Sequence, residues 1–337
     1  MYVDVTNIKS LERYGSIDVS LPLKNTTLPA MKIIFMGTPD FAVPSLQIVL
    51  ENGYEIAAVV TAPDKPGGRQ GIQQSAVKKF AAEKGLFVLQ PSNLKSEDFL
   101  AKLRAFDADL FIVVAFRMLP KAVWSMPPMG TMNLHGSLLP KYRGAAPINW
   151  AIIRGERETG VTTFLIRHEI DTGDLLFQEK IPIGADETAG ALHDKMMEIG
   201  AQLLLRSVRA LEDGTARPTP QADIEATHAP KIHAETCKIN FAQSSATVHN
   251  FIRGLSPYPG AWTTLQGKVL KILQSRIVST PISPDHPGML VVEGHIELKI
   301  STNDGYIQVL ALQLEGKKRM ETPDFLRGNP IKASFIG

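Results

Sequence analysis

The run LFIVVA, Leu110 to Ala115, constrains this chain more than any other stretch. A strand with one wet face alternates apolar and polar residues, whereas a run that is apolar throughout has to be covered on both faces. That is the condition of a central parallel strand, and parallel neighbours require long crossovers, usually helical. The chain supplies them. KIIFMG from Lys32, EIAAVVT from Glu55 and LFVLQP from Leu86 are further short apolar runs, separated by helical patterns at Ala42 to Glu51, Ser75 to Lys84 and Asp98 to Phe106. This alternation predicts a Rossmann-like α/β domain, a parallel sheet with helices on both faces and a site at the strands' C-terminal ends. A longer helical pattern, Leu192 to Leu211, closes the domain, with Met196 and Met197 expected in the core.

The remainder reads differently. Gly214 to His233 carries Pro218, Pro220 and Pro230 and lacks apolar periodicity, so 214–233 is predicted as a linker between a first domain at 31–213 and a second at 234–337. In the second, a short helix (Ser245 to Arg253) precedes short strands near Val269–Leu273, Met289–Val292, Ile296–Ile300 and Ile307–Leu312, with a turn at Asn303-Asp304-Gly305. Short strands with glycine turns predict a small barrel. Residues 1–30 mix charge and polarity, lack the apolar core of a signal peptide, and are expected to be a disordered extension ahead of Met31.

Composition narrows the partners. A chain of 337 residues has material for two cores, and its net charge of +2 does not mark it as a nucleic-acid binder. From Lys231 onward, however, 12 Lys and Arg face 8 Asp and Glu, which places the positive excess in the second domain. The single cysteine, Cys237, excludes an intramolecular disulfide and agrees with a reducing, cytoplasmic setting. No apolar run approaches the length of a membrane span, and the histidines and lone cysteine do not form metal-ligand spacing. MGTPDF, after the first strand, has one glycine where a dinucleotide-binding turn needs three.

The chemistry concentrates in NLHGSLLPKYRGAAP, residues 133–147. Asn133 and His135 are two apart, so on a strand their side chains share a face. Ser137, Pro140, Gly144 and Pro147 then enforce a rigid loop. Asp171, in the turn sequence DTGD, supplies a carboxylate able to orient an imidazole. An amide donor, a titratable ring and a carboxylate suit attack at a carbonyl, where donors steady the oxyanion and one group moves a proton. The bland alternative is that an Asn or His near a strand end is a hydrogen-bonded turn residue.

NLHGSLLPKYRGAAPINWAI with DTGD downstream resembles the 10-formyltetrahydrofolate-dependent formyltransferases, in particular the branch acting on methionyl-initiator tRNA, and the resemblance runs from Met31 to about Val309. It implies that Asn133, His135 and Asp171 are catalytic. It implies that Ser137, Leu138, Leu139 and Pro140 contact the folate, and that Phe116, Met118 and Leu119 in FRMLP wall the pterin pocket or pack in the core. By the same resemblance the second domain is an OB-like barrel presenting a basic face to tRNA, where Lys317, Lys318 and Arg319 form the densest basic site. The glycine-rich loop after the second strand, with Lys65 and Arg69, approaches the acceptor end. That loop reads IQQ after Gly71, where better-known members carry lysines, and Glu169 stands where many relatives have glycine. The implied reaction is formyl transfer from 10-formyltetrahydrofolate to initiator methionyl-tRNA by a metal-free monomer, releasing tetrahydrofolate. A sugar-nucleotide N-formyltransferase or a formyltetrahydrofolate hydrolase has the same triad, and an RNA-binding protein with a decayed enzyme domain has the same barrel. The intact triad and the segments HAPKI and SPYPGAW favour the tRNA enzyme.

Overall fold

The computed structural model describes residues 31–67, 71–278, 286–329, 331 and 336. The expected extension at 1–30 and the basic residue Arg69 lie outside them. The first half builds the strands β1 (Lys32–Gly37), β2 (Glu55–Val60), β3 (Lys65–Pro66), β4 (Ile72–Gln73), β5 (Val88–Leu89), β6 (Leu110–Val114), β7 (Thr131–His135), β8 (Arg143–Gly144), β9 (Glu158–Leu165) and β10 (Leu175–Pro182). Between and after them run α1 (Val43–Glu51), α2 (Ala76–Glu83), α3 (Glu97–Ala105), α4 (Lys121–Trp124), α5 (Pro147–Ile153) and α6 (Ala189–Glu212).

Seven strands form one sheet in the order β10-β9-β7-β6-β1-β2-β5. The strands from β5 to β7 are parallel; at one edge β9 runs antiparallel to β7, and β10 antiparallel to β9. β6 explains its own composition. Leu110, Ile112 and Val114 point into one core with Ile33, Phe35 and α6 residues, while Phe111 and Val113 join a second core with Ile34, Met36 and α3 residues on the other face. The antiparallel β10 was not evident in the sequence, because LLFQEKIP alternates weakly and its outer residues are exposed. α6 runs 24 residues, and its first turn is capped by the Thr188 hydroxyl accepting from the Ala191 amide. Met196 is fully buried and Met197 half-buried against the same core.

The stretch from Gly214 to His233 is docked along the first domain rather than free. Its strand β11 (His228–Ala229) pairs in parallel with β8, and Thr219 bridges Leu175. Beyond it lie α7 (Ser245–Leu255), β12 (Ala261–Leu265), β13 (Lys268–Val278), β14 (Leu290–Glu293), β15 (Glu297–Ser301), β16 (Tyr306–Leu314), β17 (Met320–Glu321) and α8 (Thr322–Gly328). These strands make a six-stranded antiparallel sheet, β12-β13-β16-β15-β14 with β17 against β16, which forms the small β domain expected. Its core includes Phe325, Ile252, Leu270 and Ile300.

The two halves meet where α5 crosses α7. A side chain at Gly254 would meet the Ile153 side chain at 2.6 Å and its backbone nitrogen at 3.0 Å, so glycine is what lets the helices approach this closely. Asn149 Nδ2 donates to the Gly254 carbonyl at 2.8 Å. Arg253, almost fully buried, donates to the carbonyls of Gly184 and Glu187 at 3.2 and 2.9 Å. His249 fills the same junction.

Candidate active site

β7 carries Asn133 and His135 to the C-terminal end of the parallel strands. Register with β6 and β9 places Asn133 opposite Val113 and Phe164, and His135 opposite Thr162. Met132 and Leu134 are sunk in the core on the α6 side, so pleating directs both polar residues to the other face. Asn133 is half-buried and its side chain makes no hydrogen bond to a described residue. A half-buried amide with free donors is suited to receiving a ligand oxygen.

His135 is 7% exposed and both ring nitrogens face the protein. Nε2 lies 2.9 Å from the Tyr142 carbonyl oxygen, which accepts only, so Nε2 carries a proton. Nδ1 lies 3.8 Å from Asp171 Oδ2, beyond hydrogen-bond length. The same Oδ2 accepts from the Gly144 amide at 2.9 Å. Closing the slack at Nδ1 needs a movement of only a few tenths of an ångström.

The backbone around these groups is unusual. Ala115, Tyr142 and Asp171 have φ of 47°, 60° and 55° without being glycine. Such residues cost on the order of 1–3 kcal/mol each and persist only where surroundings over-determine them. The surroundings here do. Tyr142 donates its amide to Thr227 Oγ1 at 2.9 Å and its phenol to Glu156 at 2.6 Å. Burial, then the Glu156 hydrogen bond, pushes that phenol up to about 12, so Tyr142 is a neutral anchor whose contribution is its carbonyl. Gly144 has φ of 122°, and a side chain there would meet the Ala229 carbonyl oxygen at 2.6 Å. Only glycine can present its amide to Asp171 while β8 pairs with β11.

The other expected residues divide. Ser137, Leu139 and Pro140 are buried, and Leu138 is half-buried. Much of the segment's hydrogen bonding is already satisfied: Ser137 Oγ donates to the Lys141 carbonyl, the Leu139 amide to Thr162 Oγ1, and Gln178 Nε2 to the Leu139 carbonyl. Of the FRMLP residues, Leu119 lies in the sheet's second core, Phe116 packs half-buried against it, and Met118 is 71% exposed. Met118 is thus the one of the three presenting its side chain outward. Lys65 is exposed on the two-residue ladder β3–β4. Lys317, Lys318 and Arg319 are exposed in the β16–β17 turn, where Arg319 is drawn to Gln274 and Glu321 at 3.1 and 3.3 Å. Among the described residues no group of three His, Cys, Asp or Glu is placed to hold a metal, and no helix is long and apolar enough to cross a membrane.

Sequence reasoning missed Tyr142, Thr227, Gln221 and Arg143. Gln221 Nε2 donates to the carbonyls of Asp171 and Gly173, both at 2.8 Å. Arg143 donates to Gln221 Oε1 through Nε and Nη2 at 3.1 and 2.7 Å. Most of these roles are played by backbone groups or a single polar contact, which leaves no motif.

Known proteins share this architecture. Residues 31–208 match the family model described as formyl transferase, and residues 231–330 match that of the formyl transferase C-terminal domain. A methionyl-tRNA formyltransferase of Bacteroides fragilis is 48% identical over 90% of this chain and 97% of its own length. One from Porphyromonas gingivalis is 49% identical over 90% of this chain and 98% of its own. Among solved structures, the sugar 3N-formyl transferase WlaRD, determined in the presence of dTDP and 5-N-formyl-THF, covers 86% of this chain and 99% of its own. Its TM-score is 0.63 at 23% identity, which shows a common fold. With family models spanning both halves and relatives near half-identical over nearly their whole length, the chain belongs to the formyl transferase family, among the methionyl-tRNA formyltransferases.

Proposed function

We propose that this chain transfers the formyl group of 10-formyltetrahydrofolate to the α-amine of methionyl-initiator tRNA, with Asn133, His135 and Asp171 as its reactive groups. The observation that carries the mechanism is the pairing of Asn133, whose side chain bonds to no described residue, with a buried His135–Asp171 contact at the end of the same strand. Asn133 donates to the formyl oxygen as the new C–N bond forms and negative charge gathers on that oxygen. His135 adds positive charge beside it and helps pass a proton, through water, to the departing folate nitrogen. Asp171 orients the ring and accepts the amine's proton through water. The amine nitrogen loses one proton and the folate nitrogen gains one, so the step balances without a metal or an oxidant.

The folate is held, in this reading, by Ser137 to Pro140 and by Phe116, Met118 and Leu119, of which Met118 faces outward and Leu138 is half-buried. We take 31–213 as the catalytic part, 234–337 as the part that grips tRNA, and 214–233 as the connection. Lys65 on the β3–β4 ladder, Arg69, and Lys317, Lys318 and Arg319 in the β16–β17 turn are assigned to phosphates. Neutralising the turn triplet should raise KM for tRNA and flatten its salt dependence by about one log–log unit per lost contact.

The test offers purified protein the formyl donor with methionyl-initiator tRNA, a nucleotide-linked amino sugar, and water. Formylated tRNA is expected. Formylation of the sugar alone would transfer the assignment to the sugar enzymes of this fold. Asn133→Ala in folded protein should lower turnover about 10²–10³-fold, as for loss of an oxyanion donor; full activity would remove the mechanism.

A further inference from the structure

Two loops each carry one side of the His135–Asp171 contact. Tyr142 to Ala146 supplies the carbonyl that holds His135 Nε2, and Asp171 to Leu175 supplies the carboxylate facing Nδ1. The direct link between them is the Gly144–Asp171 hydrogen bond. We infer that residues 219–229 act as a strap that fixes the distance between these loops, and that Gln221 is a positioning residue for the transfer, acting through Asp171. The inference rests on the formyl-transfer reading above and adds to it a residue outside the triad.

The strap grips both loops at several points. Thr219 and Leu175 exchange amide–carbonyl hydrogen bonds of 2.8 and 2.9 Å. At the other end Tyr142 donates its amide to Thr227 Oγ1, Arg143 donates its amide to the Thr227 carbonyl at 2.9 Å, and the Ala145 and Ala146 amides share the Ala229 carbonyl. Gln221 sits between. Its Nε2 serves two carbonyls of the Asp171 loop, and its Oε1 takes two hydrogen bonds from Arg143 in the other loop. Carbonyls only accept and guanidinium only donates, so the side-chain amide has one permitted orientation. Arg143 Nη2 is further held by Asp223 of the same strap at 2.8 Å.

The target of this grip gives it a purpose. One of the two carbonyls is that of Asp171 itself, whose φ of 55° is strained for an aspartate. Without Gln221 that backbone relaxes toward an ordinary conformation and carries the carboxylate away from His135. A displacement near 1 Å at a catalytic group costs about 10²-fold in rate. A strap that only seals a polar loop would have no reason to act through Asp171, and this difference can be measured.

The full-length chain is assayed with Gln221→Ala and with Gln221→Glu, which keeps the shape but removes both donors. Each should lower kcat about 10–100-fold and leave KM for the formyl donor within about two-fold. In an Asp171→Ala background, Gln221→Ala should cost less than about two-fold more, because its route is already cut. Thr227→Val should lower kcat in the same way and Thr227→Ser should restore it, a pair that serves if the Gln221 variants fold poorly. Full activity of Gln221→Ala, or an equal loss with and without Asp171, overturns the inference. Wild-type protein unable to formylate any amine overturns the functional reading instead. The strap is then decided by ¹⁵N-histidine spectra, with the His135 ring signals assigned by His135→Gln: a shift on Gln221→Ala supports it, and unchanged signals overturn it.

Discussion

His135 and His249 look alike on paper. They are 7% and 3% exposed, both ring nitrogens of each face polar groups, and each has an aspartate nearby. The resemblance ends at the partners. His249 lies on α7 at the junction of the two halves, with Ser275 Oγ 3.0 Å from Nδ1 and Asp186 Oδ1 3.2 Å from Nε2. Asp186 is 75% exposed, so water screens its charge. Asp171 is 11% exposed, stands 3.8 Å from its ring, and is held by strained backbone, and two residues before His135 the Asn133 side chain bonds to no described residue. One histidine is spent on joining two halves. The other is kept slightly short of satisfaction. A buried His–Asp pair is therefore not a site in itself; the role proposed for His135 rests on the slack at Nδ1 and on Asn133, whose side chain bonds to no described residue.

The largest expected effect separates the two directly. His135→Ala should lower turnover by about 10²–10⁴-fold while the melting temperature changes little, and His249→Ala should do the reverse. Loss of activity in the second variant at a temperature where it remains folded would break the comparison.

The junction can be broken more severely at Arg253. Arg253→Leu removes the guanidinium from the half-buried Glu187 carbonyl and from that of Gly184, which keeps the Glu187 amide as a donor, and should remove about 1–3 kcal/mol of stability in denaturant titration. An unchanged midpoint would mean that water replaces the guanidinium at no cost.

A smaller effect depends on pH. Burial holds His249 below the usual histidine range, ahead of the opposing pull of the Ala185 carbonyl. In the folded protein the ring then stays neutral while the unfolded chain takes up a proton. Stability should therefore fall as pH drops below the unfolded value of about 6.5, and stop falling below the lowered folded value. His249→Gln should flatten this part of the melting-temperature profile; an identical slope would place the acid sensitivity elsewhere.

The smallest effect belongs to Asp186. Asp186→Asn removes a screened charge and should change stability by less than about 1 kcal/mol, whereas Asp171→Asn should lower turnover severely. A large effect at Asp186 would show that exposure had misjudged its coupling to His249.

The sequence made some of this legible for physical reasons. LFIVVA is apolar throughout because both its faces are covered, and Asn133 and His135 share a face because strand periodicity demands it. That the connection at 214–233 docks along the first domain was not legible in the sequence. Its contacts go through carbonyls, amides and three short or single polar side chains, none of which produces periodicity. Tyr142 was invisible for a similar reason, since the atom that holds His135 is a carbonyl that every residue has. FRMLP was ambiguous between core and pocket, and the structure divides it residue by residue, with Leu119 in the core and Met118 outside.

The pairing of β8 with β11 joins residues 143–144 to 228–229, and this has a bearing on the order of synthesis. Every strand of the seven-stranded sheet is complete by Pro182, and α6 by Glu212. A nascent chain that has left the ribosome only that far already holds every strand of the sheet and the helices on both its faces. It cannot yet hold the Tyr142 carbonyl or the Asp171 backbone in place, because their partners are still inside the exit tunnel. The proposed reactive centre is thus expected to set late, once residues 219–229 have emerged and as translation proceeds into the β domain.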